Sequence, residues 1–503
     1  MPFRLASVFY VLISTFVFLE LKKLASQTAI YGLSSMVGRF LNFLLVPLYT
    51  SQFIPEEYGV VTVLYAMVGF VAVLLTFGME TAFFNFSRKD LATDKVYHTA
   101  FWSVVGAVLV FLVLGLPGAN RVAKLIEYAD HPEYIRYFVL ILALDALTAL
   151  PFALLRKQNK AVRFAVIRMV NIFINIGLNL YFIQYGYEQF EAGNRIPGFD
   201  PEIGVGYIFI ANLVASAVTL LLLLPQFRTG RMKFDRRLFQ QMLFYAGPLV
   251  IVGFAGMVNE LLDRILLKYL LPVETADYDI GVYGAFYKLS IIVTLFVQAF
   301  RFAAEPFFFD KASDANAPKT YARVMHVFVG VCGFIFLATM LFVEDLSGLL
   351  IRREEYYEHP DAMNIVPVLL MANVMLGIYY NLSIWYKLSE KTLLGSTVAL
   401  GGAVGTIVLN VLLIPMWGIM GSALATLAVY TAMTLVAFMM GTKHYPVPYN
   451  TIRILMYLGL ALLLWQGHVY LSAWLVGFMV QISAIFLLAV YAFVVMGLEK
   501  GKG

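Results

Sequence analysis

The sequence is poor in the residues that build soluble surfaces and reactive centres. Only 13% of its 503 residues are charged, it has a single cysteine, and four of its six histidines are scattered. Soluble domains average about 25% charged residues. A chain of this length would otherwise be expected to divide into several polar-faced domains, and this one lacks the charge to cover them. One cysteine, Cys332, excludes an intrachain disulfide. No Walker-type phosphate loop, HExxH, paired CxxC or GxSxG elbow is present. ATPase, metalloenzyme and serine hydrolase chemistry are disfavoured, so no catalytic residue, metal site or cofactor is expected and the chain reads as a non-enzyme. A net charge of +5 is too small, against this hydrophobicity, to suggest a nucleic-acid partner.

What the chain has in quantity is apolar surface. Hydrophobic residues make up 61%, with 30 Tyr and 42 Phe. A bilayer-crossing helix needs ~20 apolar residues, and the apolar runs are continuous, unlike the alternation of a transmembrane barrel. Runs bounded by charge or turn residues give fourteen spans, at 25–49, 59–81, 99–116, 134–155, 164–185, 204–224, 242–267, 282–304, 324–343, 363–386, 392–414, 418–440, 452–471 and 473–496. The expected fold is an all-α polytopic membrane protein.

Lys and Arg set the orientation of such a chain. The connections that include 87–98, 156–163, 228–237 and 309–323 hold 23 of them, and the opposite set holds six. The first set is expected to be cytoplasmic, with both termini of the fourteen-span unit inside. Residues 1–20 stand outside this plan. They read as an extra span, an uncleaved signal, an interfacial helix or a start-site artefact with translation beginning at Leu21.

The two halves resemble each other. Glu57-Tyr58-Gly59-Val60 recurs as Val282-Tyr283-Gly284-Ala285, Asp130-His131-Pro132-Glu133 as Glu358-His359-Pro360-Asp361, and Asn179 as Asn410. Six spans per repeat is an even number, so both halves enter the membrane in the same sense. The expectation is two parallel six-helix lobes around a central cavity, 21–237 and 238–441, with two added spans and a short basic tail in 442–503. His131 and His359 read as helix starts, each followed by Pro and an acid.

An ionisable residue facing lipid at mid-span costs at least ~2.5–3.5 kcal/mol, so each such residue must face a partner or a cavity. Arg39 lies among Ser34, Ser35, Gly38 and Asn42, a setting for a cation that grips phosphate or carboxylate bidentately, or for an ion pair with an acid such as Asp145. Glu260, Arg264 and Lys268 recur every four residues, which predicts a Glu260–Arg264 pair beside substrate contact. Asn259 and Asp263 form a parallel polar line, and Lys288 lies in the outer part of the eighth span. Arg168, Arg301 and Glu80 fall near the expected cytoplasmic ends, where snorkelling is the simpler reading. Asp145, at the middle of the fourth span, is either a proton site or the counter-ion of an arginine.

Leu24-Ala25-Ser26-Gln27-Thr28-Ala29-Ile30-Tyr31-Gly32, Pro47-Leu48-Tyr49 and Pro55-Glu56-Glu57-Tyr58-Gly59 resemble the opening of bacterial polysaccharide flippases of the multidrug/oligosaccharidyl-lipid/polysaccharide exporter superfamily. Tyr245-Ala246-Gly247-Pro248-Leu249, Leu262-Asp263-Arg264, Glu305-Pro306-Phe307 and Gly418-Ile419-Met420-Gly421-Ser422-Ala423 are similar to later parts of that family. The resemblance implies alternating access and a lipid-linked oligosaccharide substrate, carried on undecaprenyl diphosphate for surface polysaccharide synthesis in the bacterial cytoplasmic membrane. It implies that Arg39, Arg264, Lys268 and Lys288 bind the diphosphate, with Ser35, Asn42, Asn259 and Asp263 lining the cavity. H+ or Na+ is the expected coupling ion at Asp145. Polysaccharide polymerase machinery is an expected partner, and the protein an expected monomer. Fourteen spans keep lipid II export open as an alternative. Cation-coupled drug efflux is a second alternative, and a mid-span arginine argues against it.

Overall fold

The computed structural model describes residues 40–41, 43–87, 93–227, 234–389 and 391–500. Arg39, Ser35 and Asn42, residues 1–20 and most of the 25–49 span lie outside them. Among the described residues there is no strand. The helices are α1 (Val46–Gln52), α2 (Pro55–Thr76), α3 (Met79–Phe86), α4 (Thr93–Leu125), α5 (Pro132–Lys157), α6 (Ala161–Asn179), α7 (Tyr187–Glu191), α8 (Gly206–Phe227), α9 (Arg236–Leu270), α10 (Val273–Lys311), α11 (Ala317–Leu341), α12 (Val343–Leu350), α13 (Ile365–Leu382), α14 (Ile384–Leu388), α15 (Thr392–His444), α16 (Thr451–Ser472) and α17 (Phe478–Lys500).

Twelve helical segments among these residues are long and apolar enough to cross a membrane. The 53-residue α15 would extend about 80 Å if straight, far beyond the ~30 Å of a bilayer core. It folds back instead. Trp417 leaves helical geometry and Gly418 takes φ 55°, which an L side chain resists. The Ser422 Oγ then donates to Asn410 Oδ1 at 3.0 Å, a pair that a straight helix would hold about 18 Å apart. The 392–414 and 418–440 spans are therefore the two arms of one hairpin.

Local signals start the helices where the sequence supplies them. Asp235 caps α9 by accepting from the N–H groups of Arg237 and Leu238. At α2 the Glu57 carboxylate reaches back to the Ile54 N–H, with Pro55 in the first turn. The helices run past their apolar windows. The stretch 269–281, read from sequence as a loop, is a short turn followed by two helical turns of α10.

At one end of the molecule, the joined end, both repeats share a single core. Phe53, Tyr58 and Phe209 of the first half belong to the same buried cluster as Tyr283, Phe286 and Tyr356 of the second. There α2 crosses α10 glycine to glycine. A Cβ on Gly59 would overlap the Asp277 carbonyl, and one on Gly281 would overlap that of Pro55. At the opposite, split end the cores are separate. Phe83, Tyr97, Leu150 and Met242 form one, while Ala304, Phe308, Tyr321 and Ile384 form another. α9, a helix of the second half, starts in the first of these cores at Leu238 and Met242 and ends in the shared one at Leu267.

Candidate functional site in the cleft between the lobes

The site is read from charged side chains that stay exposed on helix faces otherwise buried. On α6, Ala161, Phe164, Ile172 and Asn179 are buried, yet Arg168 on the same side is exposed. On α5, Asp145 is exposed between buried Ala143 and Ala146. Neither charge can face hydrocarbon cheaply, so each needs a partner or a polar surface. Arg168 lies 4.2 Å over the Phe152 ring. Asp145 accepts from the buried Ser216 Oγ at 2.7 Å. Among the described residues neither has a salt-bridge partner. The Phe152 face orients the Arg168 guanidinium. Glu80 is ion-paired with Arg156.

The second half contributes α9 and α10. Arg264 is buried, and its guanidinium donates to Asp263 Oδ1 at 2.8 Å and to the Glu260 backbone carbonyl at 2.5 Å. It also lies 4.3 Å from the Tyr287 ring centroid. The i, i+4 spacing predicts a Glu260–Arg264 side-chain pair, and this is corrected here. The adjacent Asp263, further held by the Tyr283 hydroxyl at 2.8 Å, captures the guanidinium and leaves the Glu260 carboxylate exposed. Lys288 is half-buried, with no carboxylate in reach among the described residues. Asn259 is satisfied within the second lobe, donating to the Ala399 carbonyl and accepting from Thr406 Oγ1.

Lys268 is placed elsewhere. Only 2% of its side chain is exposed, and its Nζ sits 2.9 Å from Asp277 Oδ2 and 3.8 Å from Glu127 Oε2. The Tyr128 ring is 4.6 Å below it, and the Tyr128 hydroxyl donates to Asp277 Oδ1 at 2.8 Å. Burial, followed by the Asp277 carboxylate, pushes the Tyr128 phenol up and keeps it a donor. This cluster ties the 126–128 turn of the first half to α9 and α10 of the second. Three further bonds support it: Thr50 Oγ1 to the Leu350 carbonyl, Tyr356 Oη to the Phe53 carbonyl, and Arg353 Nε to the Ser51 carbonyl. Together they form a latch across the joined end.

The sequence reading missed Asp277 because it assigned that stretch to a loop. Pro272 followed by Glu274 is a helix-start signal that would have moved the boundary. His131 does precede α5, with Pro132 in its first turn. His359 instead lies in a turn before α13, 3.4 Å from Asp279. No group of three or more potential metal ligands occurs among the described residues.

The chain is 22% identical over 438 residues to an uncharacterized membrane protein of Methanocaldococcus jannaschii, covering 80% of each. Its fold is similar to that of the lipid II flippase MurJ in an inward closed conformation. The TM-score is 0.69 at 15% identity, over 93% of this chain and 98% of that one. It is also similar to an inward-facing multidrug resistance MATE family transporter of the MOP superfamily, with TM-score 0.62 and 14% identity, over 86% of this chain and 99% of that one. The family model described as polysaccharide biosynthesis protein matches residues 24–312, more than half of the sequence; this multi-pass membrane protein belongs to that family.

Proposed function

We propose that the protein is a flippase that moves undecaprenyl-diphosphate-linked oligosaccharide from the cytoplasmic to the outer leaflet by alternating access. The observation that carries this reading is Lys288, held at membrane depth with no carboxylate in reach among the described residues, and Arg168, whose electrostatic neighbour Asp145 lies beyond salt-bridge distance. An unpaired cation inside a bilayer is costly, and a bound diphosphate removes that cost. The headgroup cannot cross ~30 Å of hydrocarbon unaided. Polar cleft walls replace its water while the lipid tail stays in the bilayer, and no covalent bond changes.

In this reading Arg168, Lys288, Arg264 and Arg39 hold the diphosphate, with Asn259, Asp263, Ser35 and Asn42 as polar wall. Asp145 carries the coupling H+ or Na+. Lys268 serves the latch rather than the substrate. The Lys and Arg count puts the split end in the cytoplasm, so the described conformation accepts substrate from inside. The protein acts as a monomer in the bacterial cytoplasmic membrane, with 21–237 and 238–441 as lobes, and hands its product to a polymerase.

The test is a proteoliposome assay with two fluorescent substrates, undecaprenyl-diphosphate oligosaccharide and lipid II. Movement of the oligosaccharide lipid, reduced at least tenfold in Lys288→Met and Arg168→Gln, supports the proposal. Movement of lipid II alone reassigns the protein to peptidoglycan export, and movement of neither overturns the flippase reading.

A further inference from the structure

Away from the Arg168–Lys288 region, the second lobe has a small pocket between α10 and the α13–α14 junction. Arg301, Glu305, Tyr380, Asn381, Ser383 and Lys387 line it. Asn381 is 3% exposed, and both its side-chain oxygen and its nitrogen are buried without a hydrogen-bond partner. An orphaned buried amide is rare in folded proteins and is a cost to the fold. It lies at the last turn of α13, where the helix breaks at Ser383 before α14.

The charges around it do not balance. Lys387 Nζ is paired with Glu305 Oε1 at 2.7 Å. Arg301 has no carboxylate in reach among the described residues, and its guanidinium lies 4.6 Å over the Tyr380 ring. Among the lining residues two cations face one carboxylate, and the Glu260 carboxylate acts on Tyr380 from outside the lining, so the lining itself carries a single positive charge that one monoanion neutralises. The space holds about one water-sized group, enough for an oxyanion oxygen but not for a sugar ring. Thirteen residues of α10 separate Arg301 from Lys288, about 20 Å along the axis, so one diphosphate does not serve both.

We infer that this pocket is a subsite for a monoanionic oxyanion on the glycan, namely the carboxylate of an acidic sugar. The Asn381 amide N–H donates to it and Arg301 closes the charge. The sugar ring remains in the cleft. This rests on the flippase reading for its substrate, but the pocket is tested independently of transport.

The experiment is calorimetry on the purified full chain in nanodiscs, with sodium glucuronate, glucose and dimethyl phosphate as probes. Wild-type protein is expected to bind glucuronate and not glucose. Asn381→Leu and Arg301→Gln are each expected to weaken glucuronate at least tenfold. Asn381→Leu is nearly isosteric and removes an unsatisfied amide, so the unliganded variant is expected to melt at or above the wild-type temperature; its loss of binding is then not a folding defect. Dimethyl phosphate binding in preference to glucuronate moves the ligand from a sugar carboxylate to a phosphodiester and overturns the assignment. Equal glucuronate binding by wild type and Asn381→Leu means that the pocket holds only water, and overturns it as well. Failure of transport with intact glucuronate binding would count against the flippase reading alone.

Discussion

The two ends of the molecule are built on opposite plans. At the joined end, glycines at the crossing of α2 and α10 let backbones touch, and a buried lysine is shared between carboxylates of both halves. At the split end there are two separate cores, the first of which takes in the start of α9 from the second half, and the Lys95–Asp235 pair runs to that same start. If the lobes alternate as proposed, bonds that cross between them must switch, while bonds within each lobe need not. Under the proposed alternating access, the difference makes the joined end the place where the conformational equilibrium is set.

The largest effect is expected from the latch. Asp277→Ala leaves Lys268 buried with only Glu127 at 3.8 Å. Breaking a buried pair costs roughly 3–5 kcal/mol; Asp277 is partly exposed, so the lower end applies. Thermal melting reads the loss, and a cysteine at Thr50 is expected to become reactive to a thiol probe in that background. Cys332 is buried and stays silent. If Thr50→Cys stays protected in Asp277→Ala, the latch does not hold the joined end.

Gly281→Ala is expected to come next, at about 1–3 kcal/mol, the usual cost of overpacking. Its Cβ meets the Pro55 backbone, which cannot turn aside as a side chain would. The same thiol probe measures it, with Gly256→Ala as control, since nothing lies within 4 Å of that position.

A pair of hydroxyl deletions sharpens the comparison. Tyr356→Phe removes a bond across the joined end, and Tyr321→Phe removes one within the split-end core. Each is expected to cost about 1 kcal/mol. Only Tyr356→Phe is expected to raise Thr50→Cys labelling.

The smallest effect is at the split end. Lys95, then the Leu238 N–H, hold the Asp235 carboxyl down to about 2. Its folded value lies below the unfolded ~3.9, so its contribution is present above pH 4 and lost as pH falls toward 2. Lys95→Met is expected to flatten the stability profile in that window without changing Thr50→Cys labelling. An unchanged profile would show that the pair does not contribute to stability.

Most of the helices were legible in the sequence because the bilayer sets the length of an apolar run, and 164–185 or 452–471 needed only that signal. Helix ends were less legible. The hydropathy of 269–281 drops at the membrane boundary while hydrogen bonding continues, which hid Asp277 in a supposed loop. Within the site, residue type and depth picked out Arg264, Lys268 and Lys288, but they could not separate a latch lysine from a free one. Lys268 and Lys288 read alike in sequence. Only the fold brings Asp277 and Glu127 to the first and leaves the second without a carboxylate.

The scarcity of charge and the continuous apolar runs determined from sequence alone that this is a helical membrane protein. Those properties are local: transfer to lipid acts on each segment, and composition is enough to read it. The tertiary structure decided which end is joined, which acid takes Arg264, and that Asn381 is left without a partner. Pairing depends on distances of a few ångströms between residues tens to hundreds of positions apart, and no spacing along the chain encodes them.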